Sequence, residues 1–131
     1  MYESKNHAKY SLVVHLVFVV KYRHPLLIIL GNKIEELIIS TCKKYNYNLI
    51  TCESHVDHVH ILLSYNPTDS ISSIVKNLKQ YTTYYLRKTE GNLLFKHIYG
   101  SRRFWFRGYF ACSIGKGASY ETIFKYIENQ G

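Results

Sequence analysis

Residues 10 to 22 are rich in Val, Leu and Phe, with polar breaks only at Ser11 and His15 before Lys21. The apolar part, Leu12 to Val20, is about half the ~20 residues a helix needs to cross a bilayer. Its β-branched content instead reads as a long central strand, covered on at least one face and closed by Pro25. A central strand commits the chain to a sheet. The remaining pattern supplies its partners. Asn32, with Glu35 three residues on, caps a first helix in which Ile34, Leu37, Ile38 and Thr41 recur at helical spacing to about Tyr45. Leu49 to Glu53 and His58 to Ser64 read as two strands of a hairpin turning around Val56-Asp57.

Pro67-Thr68-Asp69-Ser70 opens a second helix, whose stripe of Ile71, Ile74, Val75, Leu78, Thr82, Tyr85 and Leu86 ends before Gly91. Phe104 to Ile114 reads as a fourth strand, interrupted at Gly108 and stopped by Gly115-Lys116-Gly117. Ser119 caps a last helix running through Gln130. The order β-α-β-β-α-β-α predicts an α+β fold of ferredoxin-like or RRM-like type. Its antiparallel sheet has helices packed on one face, and a C-terminal helix carries Tyr126. No repeat or Pro/Gly-rich linker divides the chain, so residues 1–131 read as one domain.

Charge narrows the partners. Lys and Arg number 17 against 9 Asp and Glu, a net charge of +8 that suits a polyanion such as nucleic acid. Cys42, Cys52 and Cys112 are odd in number and far apart, which indicates neither a disulfide framework nor a thiolate zinc site. A reducing, cytoplasmic compartment fits that usage. The start, Met-Tyr-Glu-Ser-Lys-Asn, lacks a signal-peptide layout, and no membrane partner is expected.

His58 and His60 alternate along a predicted strand and therefore share a face, while Val59 points into the opposite layer. Neutral imidazole is the commonest metal ligand, and a strand holds two of them in fixed geometry. A histidine-triad hydrolase requires imidazoles on strictly alternate positions. Val56 breaks that series and leaves His55 out of line. No Cys or Glu is placed to complete a zinc site. Two His with a weaker oxygen ligand suit a divalent cation that keeps positions open for water or phosphate. The plainer alternative is a pair of ordinary residues on a half-exposed strand.

Tyr126 lies four residues before Gln130, on the same face of the last helix. With 13 Tyr in the chain, Tyr126 reads equally as an aromatic packed beside Ile123 and Ile127. Its chemistry favours function: a phenol can attack phosphorus and leave an aryl phosphodiester that is readily resealed. The segment Arg102-Arg103-Phe104-Trp105-Phe106-Arg107 alternates cations with rings, and Lys76, Lys79, Arg87 and Lys88 recur along the second helix. Single-stranded nucleic acid is held in this way, by cations on phosphates and rings on bases. The competing reading puts Phe104, Trp105 and Phe106 in the core.

Five segments, in order, resemble the single-tyrosine HUH transposases of bacterial and archaeal insertion sequences, the TnpA type of the two-hundred/six-hundred-and-five group. They are His15 to Arg23, Asp57 to Leu63, Ser73 to Lys79, Phe104 to Phe110 and Tyr126 to Gln130. HUH denotes two His flanking a bulky apolar residue, here His58-Val59-His60. The resemblance implies a homodimer that recognises hairpins near the ends of a mobile element and cuts and rejoins single-stranded DNA there. It implies Tyr126 as nucleophile, taking the 5′ phosphate and releasing a 3′ hydroxyl. It also implies His58, His60 and Gln130 as ligands of Mg²⁺ or Mn²⁺, with no need for ATP. Relatives assemble each site in trans, and Gly115-Lys116-Gly117 would serve as the tether for the tyrosine helix. Gln130 stands directly before Gly131, the last residue of the chain, where relatives often continue. Lys76, Lys79, Arg87, Arg102, Arg103, Trp105 and Arg107 are the expected nucleic-acid contacts. The main alternative is a non-catalytic RRM-like module that binds single-stranded nucleic acid.

Overall fold

The computed structural model describes residues 12–98 and 103–114. Its elements are β1 (Val13–Val19), α1 (Leu27–Tyr45), β2 (Asn48–Ser54), β3 (His58–Ser64), α2 (Ile71–Ile98) and β4 (Phe110–Ile114). The strands form one sheet in the order β2-β3-β1-β4, with every neighbouring pair antiparallel. Each helix thus carries the chain past an intervening strand: β3 lies between β1 and β2, and β1 lies between β3 and β4. This is the split β-α-β arrangement expected of the element order. The expected last helix, Ser119 to Gln130, lies outside the described residues.

The apolar run forms β1, one of the two central strands, and is buried over most of its length. On one face Val14, Leu16 and Phe18 join Val59, Ile61 and Leu63 of β3 in the main core. Leu30, Ile34, Leu37 and Ile38 of α1 and Ile74, Val75, Leu78 and Leu86 of α2 complete that core. On the opposite face the register sets Val17 across from His60 and Val19 across from His58. There Val13, Leu62 and Ile114 form a smaller cluster with Ile50. Strand alternation therefore sends the apolar series into the helices and the histidine series out on the other side.

Several boundaries differ from the sequence pattern for physical reasons. α1 starts at Leu27, preceded by Leu26 with no side-chain cap, so Asn32 lies inside the helix. Glu35, expected in the capping box, instead accepts hydrogen bonds from Ser54 N at 3.0 Å and Ser54 Oγ at 2.8 Å, tying α1 to the end of β2. Asn46 closes α1 in the left-handed region at φ 62°, a conformation Asn tolerates. α2 does not end before Gly91; the helical angles break at Glu90 (φ −124°, ψ 28°) and the helix resumes. β4 begins at Phe110, not Phe104. Phe104 and Trp105 enter the core instead, and Trp105 makes only an isolated bridge to Val20. Among the described residues no helix is long and apolar enough to cross a membrane.

Gly31 marks a close approach between α1 and β2, because a Cβ there would fall 2.5 Å from Ser54 Oγ. Alanine adds up to about 1 kcal/mol of helix propensity, but displacing that hydroxyl breaks its bond to Glu35. Gly31→Ala is therefore expected to lower stability by about 1 kcal/mol. In a Ser54→Ala background the same change should stabilise by a few tenths to about 1 kcal/mol. Urea unfolding of the four proteins of the cycle checks this change of sign.

Candidate metal centre

The β2–β3 turn folds His55 back over the strand that follows. His55 N donates to His58 O at 2.8 Å, closing the hairpin. The His55 ring then stacks on His58 (centroids 4.9 Å apart, planes 22° apart) and meets His60 edge-on at 5.2 Å. His58 and His60, on one face of β3, stand 5.1 Å apart centroid to centroid. One nitrogen from each of these three rings lies within 4.8 Å of the other two. Strand alternation accounts for His58 and His60. The turn, which periodicity does not describe, accounts for His55.

Two further contacts orient the strand histidines. Asp57 Oδ1 accepts from His58 Nδ1 at 2.9 Å, while Asp57 Oδ2 accepts from Arg23 Nε at 3.1 Å. Arg23 reaches Asp57 from a short turn, Lys21–Arg23, in which Tyr22 (φ 60°) and Arg23 (φ 52°) both adopt left-handed backbone. Such conformations are costly for non-glycine residues and persist where surrounding structure enforces them. On the other side His15 of β1, 4% exposed, places Nε2 2.9 Å from His60 Nδ1 and stacks on that ring with planes 10° apart. When His60 is the donor of this bond, its Nε2 keeps a lone pair, and a neutral His58 bonded to Asp57 through Nδ1–H keeps one at Nε2 as well. Metal-bound histidines have this pattern, with the second ring nitrogen held by an outer partner. The donor set fits a divalent cation: neutral imidazoles, fixed in orientation and partly open to solvent.

The electrostatics agree. Burial pushes His60 below its ordinary value, and the neighbouring His15, His58 and His55 push it the same way. Burial also lowers His15. The hydrogen bond from His58, followed by Arg23, holds Asp57 below the usual carboxylate range. His15 and His60 therefore take up a proton less readily than free imidazoles, whose ordinary value is 6.5. Their contribution to stability is fully present above the unfolded value of 6.5 and is lost as pH falls through the lower folded values. The urea midpoint is expected to fall between about pH 7 and about pH 5, with a smaller fall in His15→Gln.

The basic and aromatic residues divide between surface and core. Lys76, Arg87, Arg103 and Arg107 are exposed. Two cavities flank the 103–107 segment. One of about 620 Å³ is lined by Lys21, Tyr22, Arg23, Arg103, Phe106 and Arg107 together with Val19 and Val20. One of about 530 Å³ has Arg87, Arg103 and Arg107 among its lining residues. Trp105 is 3% exposed, packs edge-on against Phe18 and Phe104, and donates Nε1–H to Thr82 Oγ1 at 2.9 Å, so no ring face is presented to a base. The exposed rings of this region are Phe106, Tyr109 and Phe110. Lys79 likewise points inward, donating to the carbonyls of Phe106 (2.9 Å), Arg107 (3.2 Å) and Gly108 (2.9 Å). Burial, with the Arg103 charge nearby, pushes its ammonium down to about 8, while the three carbonyls favour the charged form. Tyr126, Gln130 and Arg102 lie outside the described residues. Strand periodicity marks His15 only as a polar break and leaves His55 out of line, so it reaches neither of these two members of the cluster.

The family described as transposase IS200 like matches residues 8–130. The transposase of insertion sequence element IS200 from Salmonella typhimurium is 32% identical over 131 residues, covering 98% of this chain and 82% of that relative. The ISDra2 transposase TnpA of Deinococcus radiodurans is 37% identical over 71 residues, covering 53% of this chain and 51% of that protein. A crystal structure of a Deinococcus radiodurans R1 protein assigned as a transposase superposes with a TM-score of 0.72 at 27% identity, covering 92% of each chain. A REP-associated tyrosine transposase bound to a REP hairpin shares the fold, with a TM-score of 0.63 at 13% identity over 98% of this chain and 69% of that one. Sequence and fold together define a DNA transposase. The chain belongs to the IS200-like transposase family.

Proposed function

We propose that this transposase cuts and rejoins single-stranded DNA at the ends of an insertion sequence through a 5′-phosphotyrosine intermediate on Tyr126. The observation that carries the reading is the pairing of His58 and His60 on one sheet face, each with Nδ1 engaged by a neighbour. His58, His60 and Gln130 would hold Mg²⁺ or Mn²⁺. When bound, such a cation would supply positive charge to offset that of the scissile phosphate and the departing oxygen. The phenol oxygen of Tyr126 forms a bond to phosphorus as the bond from phosphorus to the 3′ oxygen breaks. The proton lost by the phenol is balanced by the one gained at the 3′ hydroxyl. One phosphodiester replaces another, so the step needs no ATP, and attack by a new 3′ hydroxyl reverses it. Asp57 and His15 act by holding the rings of His58 and His60 in orientation.

In this reading one domain, residues 1–131, works in the cytoplasm as a homodimer, with the tyrosine helix serving either its own or its partner's histidines. The DNA partner is a single strand with hairpins at the element ends. A structural neighbour bound to a REP hairpin supports that class of ligand. Lys76, Arg87, Arg102, Arg103 and Arg107 bind the strand through phosphates. Lys79 and Trp105 contribute from inside, by fixing the segment that carries Arg103 and Arg107. The test mixes the protein with 5′- and 3′-labelled single strands carrying an element-end hairpin, with and without Mg²⁺ or Mn²⁺. A metal-dependent, denaturation-resistant protein–DNA band is the expected result. Binding of that DNA with no such band under any of these conditions would favour the non-catalytic RRM-like module.

A further inference from the structure

We propose that His55 is a third imidazole ligand, and that the centre consequently takes a later divalent transition-metal ion such as Co²⁺ or Zn²⁺ in preference to Mg²⁺. The inference rests on the metal-dependent reading above and goes beyond its ligand set of His58, His60 and Gln130. Three observations carry it. First, a nitrogen of His55 lies within 4.8 Å of nitrogens on both strand histidines. Two nitrogens bound to one ion at about 2.1 Å stand about 3.0–3.4 Å apart, so closure needs a movement of about 1–2 Å. His58 and His60 are fixed by strand pairing. The His55 side chain is 43% exposed in a turn and is free to make that movement by side-chain rotation.

Second, the turn is itself anchored, since His55 N donates to His58 O and Val20 N donates to Asp57 O. The ring is thus delivered to the cluster by a braced backbone. Third, all three rings have a neighbour for a second nitrogen. Asp57 serves His58 and His15 serves His60, while Glu53 Oε1 lies 3.9 Å from His55 Nε2. Glu53 stands directly across from His60 on β2, on the same face of the sheet. Three neutral imidazoles discriminate by chemistry. Mg²⁺ prefers oxygen ligands and retains its waters. Imidazole suits the later first-row ions, whose affinity for nitrogen sites rises along the series to Cu²⁺.

The test titrates the full chain with Co²⁺, following its visible absorption, and with Mg²⁺ by calorimetry. Both are repeated for His55→Ala and His58→Ala, with circular dichroism confirming the fold. Wild type should bind Co²⁺ at least about a hundredfold tighter than Mg²⁺. His55→Ala should weaken Co²⁺ at least about tenfold and change its spectrum, with Mg²⁺ affinity little changed. Co²⁺ binding and spectrum lost in His58→Ala but intact in His55→Ala would overturn the third ligand while leaving the two-histidine centre standing. Co²⁺ binding that neither substitution alters, or no metal binding by wild type, would overturn both.

Discussion

Replacing His58 with alanine is expected to reduce strand cleavage by about a thousandfold, the several kcal/mol that a bound cation supplies at a charge-developing oxygen. The fold should survive, because His58 is half-buried at the end of β3 while Val59, Ile61 and Leu63 supply the core contacts of that strand. Asp57 also keeps its bond from Arg23. His60→Ala should lose cleavage to the same extent, with an added stability cost of about 1 kcal/mol for the lost His15–His60 hydrogen bond. The double variant should be no worse than either single one, since residues serving one centre act as a unit. Cleavage rates of the three variants, beside their urea unfolding curves, check these expectations. A His58→Ala protein that cleaves within a few-fold of wild type would remove the histidines from the chemistry. Collapse of hairpin binding together with cleavage would make them direct DNA contacts.

Trp105→Ala is the largest expected effect on stability, about 3–5 kcal/mol. The indole is fully enclosed, meets Phe18 and Phe104 edge-on at 5.6 Å and 4.7 Å, and spends its only donor on Thr82. Trp105→Phe retains most of the ring volume and should cost about 1–2 kcal/mol. The comparison with Arg107→Ala separates packing from recognition. That side chain is exposed, so its loss should weaken DNA binding and flatten the salt dependence with stability unchanged. Urea unfolding and salt-dependent binding of the three variants distinguish the roles. A Trp105→Ala protein as stable as wild type but poor in DNA binding would return the indole to the surface.

These two sites also show where the sequence was legible. The β3 strand was readable to the residue, because alternation of His58 and His60 with Val59 and Ile61 is a period-two signal with one buried face. The order of elements was enough for the ferredoxin-like topology. The start of α1 was obscured because no side chain caps it and because Ile28 and Ile29, 69% and 67% exposed, blur the apolar stripe. Phe104-Trp105-Phe106 has the composition of a strand, yet Lys79 holds the carbonyls of 106–108 and β4 starts beyond them. In the site, His15 was invisible as a partner of His60 because their contact depends on the register of β1 against β3, forty-five residues apart in sequence. His55 failed a strand rule that does not apply to it, since a turn delivers its ring.

In the proposed mechanism Tyr126 carries the DNA during strand transfer. The most direct measurement is to trap the protein on a hairpin-bearing single strand with metal, trim the DNA with nuclease, digest the protein and locate the residual nucleotide by mass spectrometry. The expected result is a 5′-phosphate linkage on the peptide containing Tyr126, and no adduct from Tyr126→Phe. A linkage at Tyr120 or any other residue, or an undiminished adduct from Tyr126→Phe, would contradict it.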